Sequence, residues 1–523
     1  MIWQHQYSPA GMGVSAAMAA LPIAALLLLL GILRKPAWLS ALFGLCTAAL
    51  VAVFFYGMPV RLAASAIAYG ASFGLFPIGW IVFCAILLFN LTIETGQFEI
   101  LKRSLGALTT DRRMQALMIA FAFGAFMEGA AGFGAPVAIA ASMLVALGFE
   151  PFYAAGICLL ANTAPVAFGS IGIPLTTLAT VTGLPLGRLS QDVGRICAPV
   201  SCILPAYLVV VMSGWRGLRG VLGATLACGA AFGATQFLVS NYIGPELTDI
   251  LSSLAAIIAL IIMERLSGRE KAPSNVHPSA MLKAWSPYAL LVVFVLLWGL
   301  KPLQAQLVHA TLSFPWPGLH NLIQRMPPAS LKPSPYGAIY TFNWLSAAGT
   351  ACLLAALCSA LVLKVSPSIF GRVFAKTFRQ LWLAEATIAM VLALAFLMNY
   401  SGSTATLGLA FAATGSAFPF FSALLGWVGV FLTGSDTSAN ALFGNLQAVT
   451  ANRLGMDPIL MAAANSSGGV MGKMISLTSI AVAAAATGMA PGEDGKLFRF
   501  TLRHSISMAV VIGLITLLYS RIS

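Results

Sequence analysis

The chain has 523 residues, 59% of them hydrophobic and 8% charged, whereas a water-soluble fold carries about a quarter charged residues. Mean hydropathy is +0.92, which excludes a soluble globular protein. The net charge of +13 falls between apolar blocks, as positive-inside bias requires, and so points to membrane lipid and not to nucleic acid as the partner.

In chain order, apolar runs cover Ala16 to Leu33, Leu39 to Phe55, Leu75 to Phe89 and, at the far end, Ile506 to Tyr519. Each approaches the ~20 residues that cross a ~30 Å hydrocarbon layer as helix. They are continuous and rich in Ala and Leu, not short and alternating as in a β-barrel. The stretch 1–14 carries no charge apart from His5, so the first run reads as a retained span with its N-terminus outside. The cysteines lie in or beside apolar stretches without a C-x-x-C pair and read as small buried hydrophobes. The histidines fall in terminal or loop segments or, for His504, at a span entrance, and read as solvated. No cofactor or metal centre is expected.

The sequence repeats itself. Trp38-Leu-Ser-Ala recurs at Trp344, and Gly124-Ala-Phe-Met-Glu-Gly129 is echoed by Gly429-Val-Phe-Leu-Thr-Gly434. In the same register Thr95-Gly96 matches Ser401-Gly402, Gly148-Phe-Glu-Pro151 matches Gly455-Met-Asp-Pro458, Asn162 matches Asn465 and Gly169 matches Gly472. Charges give the relative orientation of the copies. Loop Met58 to Ala63 has only Arg61, but its counterpart has Lys364, Arg372, Lys376 and Arg379; conversely Lys102, Arg103, Arg112 and Arg113 face an uncharged counterpart, Gly402 to Phe418. Opposite loops are basic, so the copies are inverted; Arg453, without a basic partner near Glu150, is the one contrary sign.

The expected fold is therefore an all-α polytopic membrane protein with two inverted-topology repeats, each holding a re-entrant hairpin and a broken transmembrane helix. It has about 12 spans plus 2 hairpins and both termini outside. The expected organisation is an N-terminal span (1–37), repeat 1 (38–184; hairpin about 114–147, broken helix about 153–183) and linking spans (185–300). An external Pro-rich loop (301–343), repeat 2 (344–489; hairpin about 420–451, broken helix about 458–489) and a C-terminal span (490–523) follow. Such repeats build secondary transporters, with substrate near the bilayer midplane.

Each hairpin tip needs polar surroundings, because irregular backbone at membrane depth survives only where protein or water satisfies it. The first tip, Gly129-Ala-Ala-Gly-Phe-Gly-Ala135, follows Glu128; the second is Thr433-Gly-Ser-Asp-Thr-Ser-Ala439. Downstream, the spans are expected to break at Asn162-Thr-Ala-Pro-Val-Ala-Phe-Gly-Ser170 and at Asn465-Ser-Ser-Gly-Gly-Val-Met-Gly-Lys473. Helix N-termini at such breaks favour an anion, and a lysine deep in an apolar span is costly unless an anion pairs with it. The candidate substrate-binding residues are Asn162, Thr163, Ser170, Ser435, Thr437, Ser438, Asn465, Ser466 and Lys473; Glu128 and Asp436 are the proton-coupling candidates. Of the two, Glu128 is the better, since its small apolar neighbours solvate a charge poorly while Asp436 sits among hydroxyls. Plainer roles stand beside these: Glu128 as a cap of backbone N–H groups, Asp436 as N-cap of the returning helix, Lys473 as counter-charge to either acid, and the two asparagines as partners of broken-helix carbonyls.

The stretches Glu128-Gly-Ala-Ala-Gly-Phe-Gly-Ala-Pro-Val-Ala138, Asn162-Thr-Ala-Pro-Val-Ala-Phe-Gly169, Thr433-Gly-Ser-Asp-Thr-Ser438 and Gly472-Lys-Met-Ile-Ser476 resemble the bacterial lactate permease family. The resemblance covers nearly the whole chain, from Trp3-Gln-His-Gln-Tyr7 through Gly244-Pro-Glu-Leu247 to Leu497-Phe-Arg-Phe500. It implies symport of a proton with L-lactate, and often D-lactate and glycolate, across the bacterial cytoplasmic membrane. The family's hairpin carboxylate, serine-rich tip and lysine fall on Glu128, Ser435 with Asp436, and Lys473. Two departures are Leu477-Thr478, where similar sequences tend to have Pro-Gln, and a short basic connector from Arg265 to Lys283. The alternatives are a sodium-coupled carboxylate carrier using Thr437, Ser438 and Asn440, an intramembrane enzyme, and a passive channel. Against the enzyme, the sequence holds no H-E-x-x-H, G-x-S-x-G or acidic metal cluster.

Overall fold

The computed structural model describes residues 2–33, 35–106, 108–132, 135–267, 277–330, 332–490 and 493–522. Phe133 and Gly134 of the first tip, and residues 268–276 of the basic connector, lie outside the described residues.

The chain opens with a short strand, β1 (Trp3–Gln4), and the apolar helix α1 (Met12–Leu27). The first repeat runs α2 (Ala37–Leu50), α3 (Val60–Phe73), α4 (Trp80–Glu94) and α5 (Gln97–Gly106). Its hairpin enters as α6 (Arg112–Gln115), passes a wider helical stretch at Ala116–Phe123 into α7 (Gly124–Ala130), and returns as α8 (Ala135–Ala146). The broken helix is α9 (Pro151–Ala161), then a 3-10 turn at Val166–Phe168, then α10 (Gly169–Thr182).

The linking segment holds α11 (Leu186–Arg219), α12 (Leu222–Tyr242), α13 (Thr248–Leu266), α14 (Pro278–Gly299) and α15 (Lys301–Leu307). The Pro-rich loop then forms β2 (Leu312–Pro315), β3 (Ile323–Arg325), β4 (Ser334–Pro335) and β5 (Ile339–Phe342), with β2 antiparallel to β5 and β1 parallel to β3. The second repeat contains α16 (Ala348–Val362), α17 (Pro367–Ser401) and α18 (Ser403–Phe411), followed by the hairpin arms α19 (Phe418–Thr433) and α20 (Asp436–Leu454). The second broken helix is α21 (Pro458–Lys473) with α22 (Leu477–Thr487), and α23 (Asp494–Ile522) closes the chain.

The two copies match element by element. Val60–Glu94 and Pro367–Ser401 are both 35 residues long, and each ends at a glycine in the left-handed region, Gly96 (φ 70°) and Gly402 (φ 85°), where a side chain would be strained. Among the described residues ten helices are long and apolar enough to cross a bilayer, and the pair Pro151–Ala161 and Val166–Thr182, bent by 63°, makes an eleventh. The 19-residue α13 is also of spanning length but holds Asp249, Glu264 and Arg265.

Two sequence expectations change. The second break does not fall across Asn465 to Lys473: α21 stays helical through both, and the interruption is confined to Met474, Ile475 and Ser476. The glycines there serve close packing. A Cβ at Gly468 would strike the Ala423 carbonyl, and one at Gly472 the Trp427 carbonyl, so α21 lies backbone to backbone against α19 as small residues permit between membrane helices. Nor is His5 solvated. It is 5% exposed, with Nε2 donating to the Tyr400 carbonyl (2.8 Å) and Nδ1 accepting from the Tyr7 hydroxyl (3.1 Å). Burial pushes its imidazole down to about 4, so it is neutral at physiological pH and ties the N-terminal segment to the end of α17.

Gly468→Ala forces the α19 and α21 backbones apart and is expected to cost about 1–3 kcal/mol, as overpacking does. Thermal denaturation in detergent should show a lowered Tm, while Gly371→Ala, where an added Cβ meets nothing within 4 Å, leaves it unchanged. Equal Tm values would refute the packing argument.

Candidate functional site

The hairpin tips and the breaks enclose a cavity of about 200 Å³. Its wall combines Glu128 from α7, Gly169, Ser170 and Pro174 from α10, Gly434 to Thr437 at the second tip, Lys473 at the end of α21, and Thr478 and Ser479 from α22. The first turns of α10, α20 and α22 therefore all face one space. Each brings unpaired N–H donors and the positive end of a helix dipole. Ser435 N-caps α20 by accepting from the Ser438 N–H (3.2 Å), and Ser476 N-caps α22 by accepting from the Ser479 N–H (3.2 Å). The expected N-cap at Asp436 thus belongs to its neighbour, and Asp436 is the first helical residue, with its side chain free for other bonds.

Those bonds form a network behind the cavity. Asp436 Oδ2 accepts from Ser466 Oγ (2.6 Å) and from Asn440 Nδ2 (3.2 Å). Asn440 Nδ2 also reaches the Pro174 carbonyl (3.2 Å), crossing to the first repeat, and its Oδ1 accepts from Asn465 Nδ2 (2.9 Å). Asn465 Oδ1 in turn accepts from Gln447 Nε2 (3.0 Å). Asp436 Oδ1 has no hydrogen-bond partner among the described residues.

Lys473, 9% exposed, donates to the Gly434 carbonyl (2.7 Å), the open C-terminal end of α19. Among the described residues it makes no ion pair within 4.0 Å, so it is not the simple counter-charge of either acid, although its charge reaches both Glu128 and Asp436. Glu128 is 4% exposed and its Oε2 has no partner. Among the described residues it accepts from no backbone N–H; Gly169 leaves room for it, since a Cβ there would come 2.9 Å from its Oε1.

The first break carries strain. Ser170 (φ 48°) and Ile171 (φ 59°) both adopt the left-handed region, costly for a β-branched residue and frequent at functional sites. Ser170 Oγ donates to the Ala131 carbonyl (3.1 Å), which ties the break to the first tip.

Of the residues singled out from sequence, Glu128, Ser170, Ser435, Asp436, Thr437 and Lys473 line the cavity. Asn465 and Ser466 stand one shell behind, in the Asp436 network. Asn162 is buried and, among the described residues, bonds to no broken-helix carbonyl, its amide lying toward Glu128, whereas Thr163 bonds back to its own helix at Leu160. Ser438 is engaged through its backbone in the cap. Sequence reasoning missed Thr478 and Ser479, which lie just past Lys473, and Asp249 in the first turn of α13, whose signal was an acid in a largely apolar helix. No group of three or more His, Cys, Asp or Glu residues suited to a metal occurs among the described residues.

Comparison with known proteins agrees along the whole chain. The family model described as L-lactate permease matches residues 15–523. The L-lactate permease of Salmonella typhimurium is 44% identical over 540 residues, 99% of this chain and 98% of that one. Glycolate permease GlcA of Escherichia coli is 44% identical over 547 residues, with the same coverage of both chains. Among solved structures, Neisseria gonorrhoeae MtrF aligns with a TM-score of 0.49 at 12% identity, over 88% of this chain and 84% of that one.

Asn440 bonds Asp436, Ser466, Asn465 and the Pro174 carbonyl across both repeats, and removing it leaves the buried Asn465 amide N–H without its acceptor while Asp436 and Ser466 keep only each other. Asn440→Ala is expected to lose about 1–3 kcal/mol of stability, read as a lower Tm in detergent. A Tm equal to that of the parent protein would mean that the network is not structural.

Proposed function

The chain belongs to the L-lactate permease family, multi-pass permeases of the bacterial inner membrane, and on that premise we propose that it carries L-lactate and related 2-hydroxymonocarboxylates, D-lactate and glycolate among them, together with a proton. One observation supports this above the rest: three helix N-termini and Lys473 converge on a small, partly open space that also holds two buried carboxyls. The positive helix ends and the ammonium suit a carboxylate. Ser170, Ser435 and Thr437 offer hydroxyls to the substrate's own 2-hydroxyl. A cavity of about 200 Å³ is below the roughly 300–1,000 Å³ of sites for drug-sized ligands, which suits an acid of two or three carbons.

The need for a proton follows from charge. Among the described residues Lys473 is the one cationic side chain lining the cavity, against Glu128, Asp436 and an incoming substrate carboxylate. Three negative charges around a single ammonium in a low-dielectric space are unfavourable, so protonation of an acid accompanies entry of the anion. The carboxylate draws Lys473 toward itself, and the acid that loses this counter-charge takes the proton. Alternating access then exposes the loaded site to the other face by movement of the hairpin-bearing unit against the remaining helices.

Uptake of labelled L-lactate into proteoliposomes is expected to follow an imposed pH gradient, acid outside, and to ignore an imposed Na⁺ gradient. Accumulation with Na⁺ alone would replace the proton by sodium. Lys473→Ala is expected to raise the apparent substrate constant by more than about tenfold, since a buried charge-assisted bond contributes ~2 kcal/mol. An unchanged constant would leave Lys473 only its bond to the Gly434 carbonyl.

A further inference from the structure

The geometry points to Asp249 as a second carboxyl of the coupling site, holding one proton in common with Glu128 across the contact between α7 and α13. Asp249 is 1% exposed, and neither of its carboxyl oxygens has a hydrogen-bond partner among the described residues. A buried carboxylate with no donor is not a stable structural element; it must hold a proton or share one. Its neighbour is fixed by backbone contact. A Cβ on Gly129 would come 2.8 Å from the Asp249 Cβ, so α13 abuts the residue next to Glu128, and the two carboxyls act on each other electrostatically.

Among the described residues the helices around Asp249 bring it no other charge; the nearest acid in sequence, Glu246 on the α12–α13 connection, lines a separate cavity with Tyr242 and Trp298. α12, α10 and the stretch Ala116–Phe123, all packed against α13, contain no Asp, Glu, Lys, Arg or His. The Cys197 thiol of α11 lies within electrostatic reach of both Asp249 and Asp436. Lys473 acts on Glu128 and Asp436, which leaves Glu128 between a cation on one side and Asp249 on the other.

This arrangement moves a proton as follows, and it rests on the proton-coupled reading above. With the cavity empty, Lys473 favours ionised Glu128, and the shared proton sits on Asp249. When the substrate carboxylate takes Lys473, Glu128 loses that charge: the O–H bond on Asp249 breaks and one forms on Glu128, and Asp249, which has no donor to hold it ionised, takes a proton from the solution side that is open, so one proton enters with each anion. Because α13 belongs to the linking segment, movement of the first hairpin against it makes or breaks the pair, which ties proton release to the conformational step.

Full-length protein in proteoliposomes tests this, with lactate counterflow and pH-driven accumulation measured in parallel for the parent protein, Glu128→Gln, Asp249→Asn and Asp249→Glu. Asp249→Asn, whose side chain does not line the cavity, is expected to keep counterflow within about twofold and to lose about tenfold or more of the accumulation, a loss also expected of Glu128→Gln. Combining the two substitutions should add little, because the residues act as one unit. Asp249→Glu should restore accumulation with a displaced pH profile. Parental accumulation by Asp249→Asn, alongside pH-driven uptake by the parent protein, would overturn the role of Asp249 and leave symport intact. Na⁺-driven uptake by the parent would overturn symport itself. Where Asp249→Asn shows no counterflow, Asp249→Glu decides, a displaced pH profile supporting the pair and an unmoved one refuting it.

Discussion

A helix that stops inside a membrane leaves backbone groups that lipid cannot satisfy, and the centre of this protein is organised around that constraint. α7, α9, α19 and α21 all end there, and α10, α20 and α22 begin there. Polar side chains answer the open carbonyls, Lys473 at Gly434 and Ser170 at Ala131, and Asn440 reaches the Pro174 carbonyl within α10. The open N–H ends are left facing a common cavity. The same residues that make the fold tolerable at this depth therefore leave an electropositive hollow that an anion completes.

Duplication supplied two similar halves, and their differences carry the chemistry. The first break bends by 63° through a left-handed turn, with Glu128 pressed against Gly169. The second is a three-residue interruption after an intact helix whose glycines let it lie on α19. The acid of the first copy lies within electrostatic reach of the lysine of the second, and the acid of the second copy is held by Asn440, which also grips the first. Each hairpin tip carries an acid, and the lysine that acts on both comes from the second broken helix alone.

The elements outside the repeats are part of the site. α13 presses Asp249 against the first tip, and α11 brings Cys197 between the two halves. At one end of the helices, β1 and His5 fasten the N-terminal segment to the Pro-rich loop and to the end of α17. Both contacts join segments hundreds of residues apart, so neither leaves a local trace in sequence.

Hydropathy, the repeated Gly124 to Gly129 stretch and the sign of the loop charges were enough to establish a helical membrane protein of inverted halves. They also located Glu128, Asp436 and Lys473, because charge in an apolar run is costly and therefore conspicuous. Local pattern could not tell a glycine that breaks a helix from one that lets two helices touch, and so Gly468 and Gly472 were read as a break. It could not assign the cap to Ser435, the Lys473 bond to a carbonyl, or the place of the Asn162 amide toward Glu128. Those outcomes depend on which backbone group lies within about 3 Å of which side chain, a matter settled by how distant helices pack. Asp249 shows the division most clearly: its residue type was legible in the chain, but its meaning came from Gly129, which allows α13 to reach Glu128.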